Sequence, residues 1–363
     1  MGGKQLRSQY QPSVSICVPT HNYGHFLPDC IESILAQTFP DWELVIVDDC
    51  SDDTTAEIVH RYARADSRVR YLRNERRLGM NANLQRVAGL GRGRYLKILC
   101  ADDWLAPKCL QVLFDLMENH PQVVLGTCAE IHCDEWGNPL RKQFLFGKSL
   151  SLIPGRVMLD RMASIQGFGG NSSFFIRSSA YSQVGGYDPA VRYAGDWELG
   201  ARLCRVGDYL HTDEALFYGR SHSASSSSND PQQFLDVIDR FIIPARTFRP
   251  RRFMNREWRR YRKAKMLVTA QGLVNAGISY VRGRPNRARD LLRLVRRYGD
   301  LPTGLLYAPI HAWSRLYGYL AARPTSGTWM PPETGMARPS GSKSRGATEP
   351  GLHFSPRNGR FEI

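Results

Sequence analysis

The chain offers little with which to enter or cross a membrane. Its start, MGGKQLRSQYQPSVSICV, has no apolar stretch of signal-peptide length, and Leu6 spoils the myristoylation pattern that Met-Gly-Gly begins. The late stretch LLYAPIHAWSRLYGYLAA carries His311 and Arg315 and is too short and too polar at its centre to span a bilayer. There is no internal repeat, which excludes a solenoid or propeller. The eight cysteines (Cys17, Cys30, Cys50, Cys100, Cys109, Cys128, Cys133 and Cys204) are scattered without the paired spacing of a zinc site. Several lie inside apolar patterns and read as buried, reduced thiols, so the expectation is a cytoplasmic protein.

What is present is ordinary globular composition with a displaced charge. The 363 residues are 42% hydrophobic and 23% charged, enough for one large α/β domain plus an extension. The formal net charge is +15, yet residues 1–235 hold 24 Lys and Arg against 26 Asp and Glu. Residues 236–323 hold 20 against 5, so almost all of the basic excess belongs to one segment. The expected organisation is an N-terminal arm over 1–12, a globular domain over 13–235, a basic helical extension over 236–323 and a disordered, Pro/Gly/Ser-rich tail over 324–363.

Within the domain, apolar runs of strand length alternate with helical spacings. Val14–Val18 ends in PTHNYGH, and FLPDCIESILAQ places Phe26, Leu27, Ile31, Ile34 and Leu35 on one helix face. WELVIVDDCSDDTT is a second strand breaking into acids, with Asp53 placed to cap a helix from Thr54 to Arg64. RVRYLRN, a helix in MNANLQRVAGL and the strand RYLKILC follow, and GDWELGARLCRVG reads as a later helix. Alternation at this spacing predicts a mostly parallel, doubly wound, Rossmann-like sheet flanked by helices. In such sheets ligands bind outside the carboxyl ends of the strands. Two of the first strand ends, DDCSDD and ADDW, are acidic and therefore suit a cation or hydrogen-bond donors rather than a bare phosphate. Asp102 and Asp103 are adjacent like charges, which resist joint ionisation unless a cation sits with them.

The order VSICVPTHNYGHFLPDCIESILAQTFPDWELVIVDDCSDDTT, then YLKILCADDW, then VGGYD and GDWELGARL resembles the family 2 glycosyltransferases of the GT-A fold, from Val14 to about His222. The resemblance implies an inverting transfer from a nucleotide-sugar, commonly a UDP-sugar, with Mg²⁺ or Mn²⁺ on the diphosphate. A hard divalent ion held by one or two carboxylates and phosphate oxygens suits an acidic pair. Asp103 would be the direct metal ligand and Asp102 would lie near the ribose or the metal's waters. Pro19, Thr20 and His21 match the loop along the nucleotide, and relatives often carry Tyr where His21 stands. Asp49 matches the acceptor of a base N–H, with Asp48 facing loop amides. Asp196 matches the base that deprotonates the acceptor hydroxyl, with Glu198 as the alternative, although Gly195 stands where the family commonly has an acid. His222 resembles a histidine that closes onto the metal or diphosphate. The processive members' Gln-x-x-Arg-Trp motif is missing, so a single sugar is expected to be moved.

The plainer readings of these residues are an Asx turn at each acidic strand end and a helix N-cap at Asp196. Nucleotidyl transfer on a similar fold would want a glycine-rich basic loop after the first strand, which PTHNYGH lacks. A degenerate sugar-binding or scaffold protein is suggested only by Gly195. In the extension, ARTFRPRRFMNREWRRYRKAK and RGRPNRARDLLRLVRRYGD interleave Arg with aromatics. The expected partner is an anionic membrane surface on the cytoplasmic side, with Trp258, Tyr261, Trp313 and Tyr317 in the interface. Nucleic acid is the rival partner and is not favoured, and simple packing on the domain is the third option. The acceptor implied is a glycan or a lipid-linked sugar.

Overall fold

The structure is a computed structural model and describes residues 11–143, 149–162, 169–191, 193–223, Ser225 and 256–281, with isolated positions between 289 and 296. The expected tail over 324–363, the arm before residue 11, and Trp313 and Tyr317 lie outside the described residues.

The chain begins with β1 (Val14–Thr20), α1 (Leu27–Leu35), β2 (Trp42–Asp48), α2 (Thr55–Ala65), β3 (Val69–Arg73), α3 (Met80–Gly89) and β4 (Tyr95–Ile98). Every residue of β2 is buried, as a run rich in Val and Ile between two helical layers requires. Side chains alternate between layers with the two-residue period of a strand. Cys17, Val45, Val47, Leu96 and Ile98 enter one core, while Ile16, Val18, Leu44, Ile46 and Tyr95 enter the other. β3, β2, β1 and β4 pair in parallel, which is the doubly wound half anticipated from the sequence.

The second half departs from that pattern. It contains β5 (Trp104–Leu105), α4 (Cys109–Glu118), β6 (Val123–Cys133), β7 (Pro139–Gln143), β8 (Leu150–Ile153), α5 (Gly155–Met162) and a 3₁₀ turn (Asn171–Ser173). Then come β9 (Phe175–Arg177), α6 (Ser178–Val184), α7 (Gly195–Leu203) and β10 (Asp208–Arg220). The sheet order is β3-β2-β1-β4-β9-β6-β10-β5, with β7 on β6 and β8 on β10. β9 runs antiparallel to both β4 and β6, so the sheet as a whole is mixed. Because β9 inverts direction twice, β6 and its parallel partner β10 end at the same edge as β1, β2 and β4. All these strand ends therefore share one crevice.

All eight cysteines are free thiols. In the basic extension, α8 (Arg256–Val281) is described. Arg260 is buried against α5, with Nε donating to Asp160 Oδ1 at 2.7 Å and a terminal nitrogen to the Arg156 carbonyl at 2.7 Å. Tyr261 is partly buried and packs onto the domain core, whereas Arg259, Arg262 and Lys263 are exposed. No helix among the described residues is long and apolar enough to cross a membrane.

Candidate active site

The loops after β1 and β2 interlock at the crevice edge. Asn22 adopts a left-handed φ of 57° and Cys50 one of 63°, a backbone cost that non-glycine residues bear chiefly where surrounding contacts fix it. The Asn22 amide N–H donates to Ser51 Oγ at 2.9 Å, and Asn22 Oδ1 accepts from the Asp52 amide at 2.9 Å. The N-cap of α2 is Thr54, not Asp53; Asp53, one residue earlier, accepts from the Thr55 amide at 3.0 Å, and its other oxygen accepts from the Gly24 amide at 2.8 Å. Thr20 Oγ1 and His21 Nδ1 lie at this edge, buried and without a hydrogen-bond partner. Pro19 sits beside them in register with Val47.

Asp48 and Asp49 are both internally satisfied. Asp48 accepts from Ser51 and from the Tyr71 hydroxyl at 2.8 Å, and Arg73 lies at 3.3 Å. Asp49 accepts from Asn74 at 2.7 Å and from the Leu78 and Gly79 amides at 2.7 and 2.8 Å. The loop-amide role expected of Asp48 thus falls on Asp49 as well.

The acidic pair follows β4. Asp103 is buried, with Oδ2 accepting from Ser172 Oγ at 2.5 Å and Oδ1 from the Arg220 amide at 2.9 Å. Burial and the charge of Asp102 push its carboxyl well above the ordinary carboxylate range. Asp102 is the more open of the two, and its Oδ2 lies 3.1 Å from His222 Nε2. The His222 ring rests among Tyr23 and Phe26, at 5.5 and 4.7 Å between centroids. Burial and then Asp102 raise the Tyr23 hydroxyl. Cys100, Asp102 and Asp103 bring ligand atoms within 4.8 Å of one another, a donor set that can take a cation. Asp196 is in the first turn of α7, and Oδ1 accepts from the Trp197 amide at 2.7 Å. Burial, Asp103 and Asp102, and then Asp196, raise the Cys100 thiol, so the Asp196 charge lies within electrostatic reach of the residue that begins the acidic turn. The structure therefore brings Asp102, Asp103 and His222 together and places Thr20, His21 and Asp49 at the ends of the neighbouring parallel strands, with Asp196 on the first turn of α7.

Residues 15–185 match Glycosyl transferase family 2. That match covers a little under half of the chain. The chain is 31% identical over 166 residues to an uncharacterized glycosyltransferase of Methanocaldococcus jannaschii, covering 42% of this chain and 57% of the relative. The chain spans about half or less of the length of the first curated relatives it matches. Staphylococcus aureus TarS 1–349 in complex with UDP superposes with a TM-score of 0.58 at 14% identity, covering 84% of this chain and 87% of that one. The mannosyltransferase PcManGT of Pyrobaculum calidifontis, in complex with GDP-Man and Mn²⁺, superposes at 0.54 and 17% identity over 86% and 83%. These two likenesses establish the GT-A fold.

Asp196 and His222 lie beyond the residues matched to family 2, so their places rest on the geometry. The departure at Gly195 has a steric cause. A Cβ there would stand 2.3 Å from Asn81 Oδ1 and 2.7 Å from its Cγ, so the buried Asn81 already fills the space of a side chain. Asn81 is held by its Nδ2, which donates to the Val191 carbonyl at 2.6 Å. Glu198, the alternative base, is excluded by its surroundings. It is buried on the far side of the helix turn and clamped by Arg202, whose Nε donates to Oε1 at 2.7 Å. Arg202 also donates to the Val184 and Gly186 carbonyls, joining α7 to α6. Glu198→Gln is therefore expected to lower stability by about 2 kcal/mol, since a charge-assisted hydrogen bond is lost. Urea unfolding checks this, and the nucleotide affinity of the folded variant should stay at the wild-type value.

Two residues of this edge were not legible as site residues. Arg220 is nearly buried, and its guanidinium reaches the Asp102 carbonyl at 3.1 Å, the Glu135 carbonyl at 2.9 Å and Asp29 Oδ2 at 2.7 Å. It also stands 4.8 Å from the Phe26 and Trp104 ring centres. Ser172 joins Asp103 to the Cys100 amide and, through its carbonyl, to the buried Lys97 ammonium. The only signal for Arg220 was its place two residues before His222; Ser172 carried none.

Proposed function

We propose that this protein is a metal-dependent, inverting glycosyltransferase that moves one sugar from a nucleotide-diphosphate sugar to a hydroxyl of a glycan or lipid-linked acceptor. The observation that carries the reading is the meeting of the Asp102–Asp103 pair with His222 at the carboxyl end of the parallel strands. The site fits a hard divalent cation: two adjacent carboxylates, one of them held above its ordinary range by burial and by the other, gain most from a positive neighbour. Asp103, Asp102 and His222 would hold Mg²⁺ or Mn²⁺, which when bound supplies charge stabilisation for the departing diphosphate. The buried, unpartnered Thr20 Oγ1 and His21 Nδ1 suit hydrogen bonds to the nucleotide.

Asp196 takes the acceptor hydroxyl's proton, because an alcohol is a poor nucleophile at neutral pH without a positioned base. Attack from the face opposite the leaving diphosphate inverts the anomeric centre in one step. Asp49 orients the loop that borders the base through the Leu78 and Gly79 amides. UDP in the TarS complex and GDP-Man with Mn²⁺ in PcManGT support a nucleotide-sugar donor of this class, and UDP-sugars are our first choice. Hydrolysis of a panel of UDP- and GDP-sugars, with and without Mn²⁺, tests the reading. Metal-stimulated release of UDP or GDP is expected, and no hydrolysis of any donor would overturn it.

The same reading places the protein at the cytoplasmic face of a membrane, docked by its basic extension. The exposed Arg259, Arg262 and Lys263 of α8 support this, each contributing about 1 kcal/mol near an anionic surface. Flotation should be stronger with anionic than with neutral liposomes and should weaken with salt, which screens such charges over roughly 10 Å at 0.1 M. Equal flotation on both, or none on either, counts against the dock, and retention on RNA instead would favour nucleic acid.

A further inference from the structure

A second polar constellation stands at the crevice edge, outside the residues used above. Glu130 and His132 lie two apart near the end of β6, and Ser221 follows the end of β10. His132 Nδ1 is 3.2 Å from Glu130 Oε1, and His132 Nε2 is 3.0 Å from Ser221 Oγ. The Ser221 amide donates to the Cys133 carbonyl at 2.9 Å, which pins the hydroxyl beside β6. Gly219 makes the arrangement sterically feasible, because a Cβ there would fall 2.1 Å from Glu130 Oε1. The glycine thus leaves room for a carboxylate that stands close enough to Asp103 for the two charges to act on each other.

The direction of the hydrogen bonds determines what the chain can recognise. With a neutral imidazole, Nδ1–H donates to Glu130 and Nε2 accepts the Ser221 hydroxyl proton. Ser221 Oγ then has lone pairs to offer, and Glu130 Oε2 has no hydrogen bond among the described residues. Ser221 Oγ and Glu130 Oε2 thus stand as two acceptors at a separation fixed by His132, one of them a carboxylate. Such a pair disfavours phosphate and carboxylate groups and favours a neutral ligand that donates several hydrogen bonds.

We propose that Glu130, His132 and Ser221 form a subsite that binds neighbouring hydroxyls of a neutral sugar in the acceptor. The subsite rests on the glycosyl-transfer reading and lies on β6 and β10, across the acidic pair from the nucleotide loops of β1 and β2. His132 is the positioning residue, since it holds the two acceptor groups at a fixed separation, and the hydroxyls themselves meet Glu130 and Ser221.

The test uses the full chain with UDP and Mg²⁺ and reads binding of methyl β-glucopyranoside, methyl β-galactopyranoside and methyl N-acetyl-β-glucosaminide by saturation-transfer NMR. At least one glycoside should bind, and Glu130→Gln, Ser221→Ala and His132→Ala should each weaken it about fivefold or more, as expected for a lost hydrogen bond to a charged or fixed group. His132→Gln, which can still bridge the two partners, should recover part of the loss. Matched thermal unfolding curves separate these losses from misfolding. Wild-type binding of none of the glycosides, or unchanged binding in all variants, overturns the subsite. So would rapid p-nitrophenyl acetate cleavage abolished by Ser221→Ala, because Ser221 would then be a nucleophile. Glycoside binding does not depend on donor turnover, so a wild type that hydrolyses no donor would sink the transfer reading alone.

Discussion

Asp103→Asn should leave a metal-free protein at least as stable as the wild type at neutral pH while abolishing metal-dependent nucleotide binding. The carboxyl of Asp103 is held well above its ordinary value of 3.8 by burial and by Asp102. A group that binds its proton more tightly in the folded chain contributes stability that is complete below the unfolded value and fades as pH rises through the folded one. At neutral pH the wild type without metal therefore bears that cost, and the amide does not. An amide can still accept from the Arg220 amide N–H and donate to Ser172 Oγ, so the local bonds survive. Differential scanning fluorimetry should show Mn²⁺ or Mg²⁺ raising the wild-type melting temperature, most strongly at neutral pH, and leaving the variant unmoved. Calorimetry with UDP and Mn²⁺ should show affinity falling by roughly a hundredfold, the scale of two lost charge-assisted contacts. Unchanged affinity would remove Asp103 from the metal site.

Asp196→Asn separates the two halves of the reaction. An isosteric amide keeps its bond to the Trp197 amide but cannot take a proton, so transfer should fall by about 10²–10⁴-fold, the usual contribution of a general base. Nucleotide affinity should be unchanged, since the residue acts on the acceptor. Substantial remaining turnover would move the base elsewhere among the crevice residues. It would not move it to Glu198, whose carboxylate is already spent on Arg202.

These expectations differ in how well the sequence announces them. β2 was legible because a continuous Val/Ile run ending in two acids is what a strand buried on both faces looks like. β9 was not, because three residues carry no periodicity and its pairing to β4 and β6 is decided by tertiary packing. That short strand, with the antiparallel β5, β7 and β8, makes the expected mostly parallel sheet a mixed one. The acidic pair and His222 stood out by their order along the chain. The choice between Asp196 and Glu198 did not, because it depends on which side of one helical turn meets Arg202. Nor could spacing reveal that Asn81 occupies the room beside Gly195, since the two are joined only by the fold.

The reach of Arg220 bears on how this domain comes into being. Its bond to Asp29 closes a loop of 191 residues and its bond to the Asp102 carbonyl one of 118. Contacts so far apart in sequence repay their loop-closure entropy only after the intervening elements are in place. A chain emerging from the ribosome can assemble the β1–β4 half early, yet it has no guanidinium to fasten α1 to the acidic turn until β10 has docked. The bonds of Arg220 that fasten α1 to the acidic turn thus form only once β10 is in place, and a chain cut before β10 lacks that fastening.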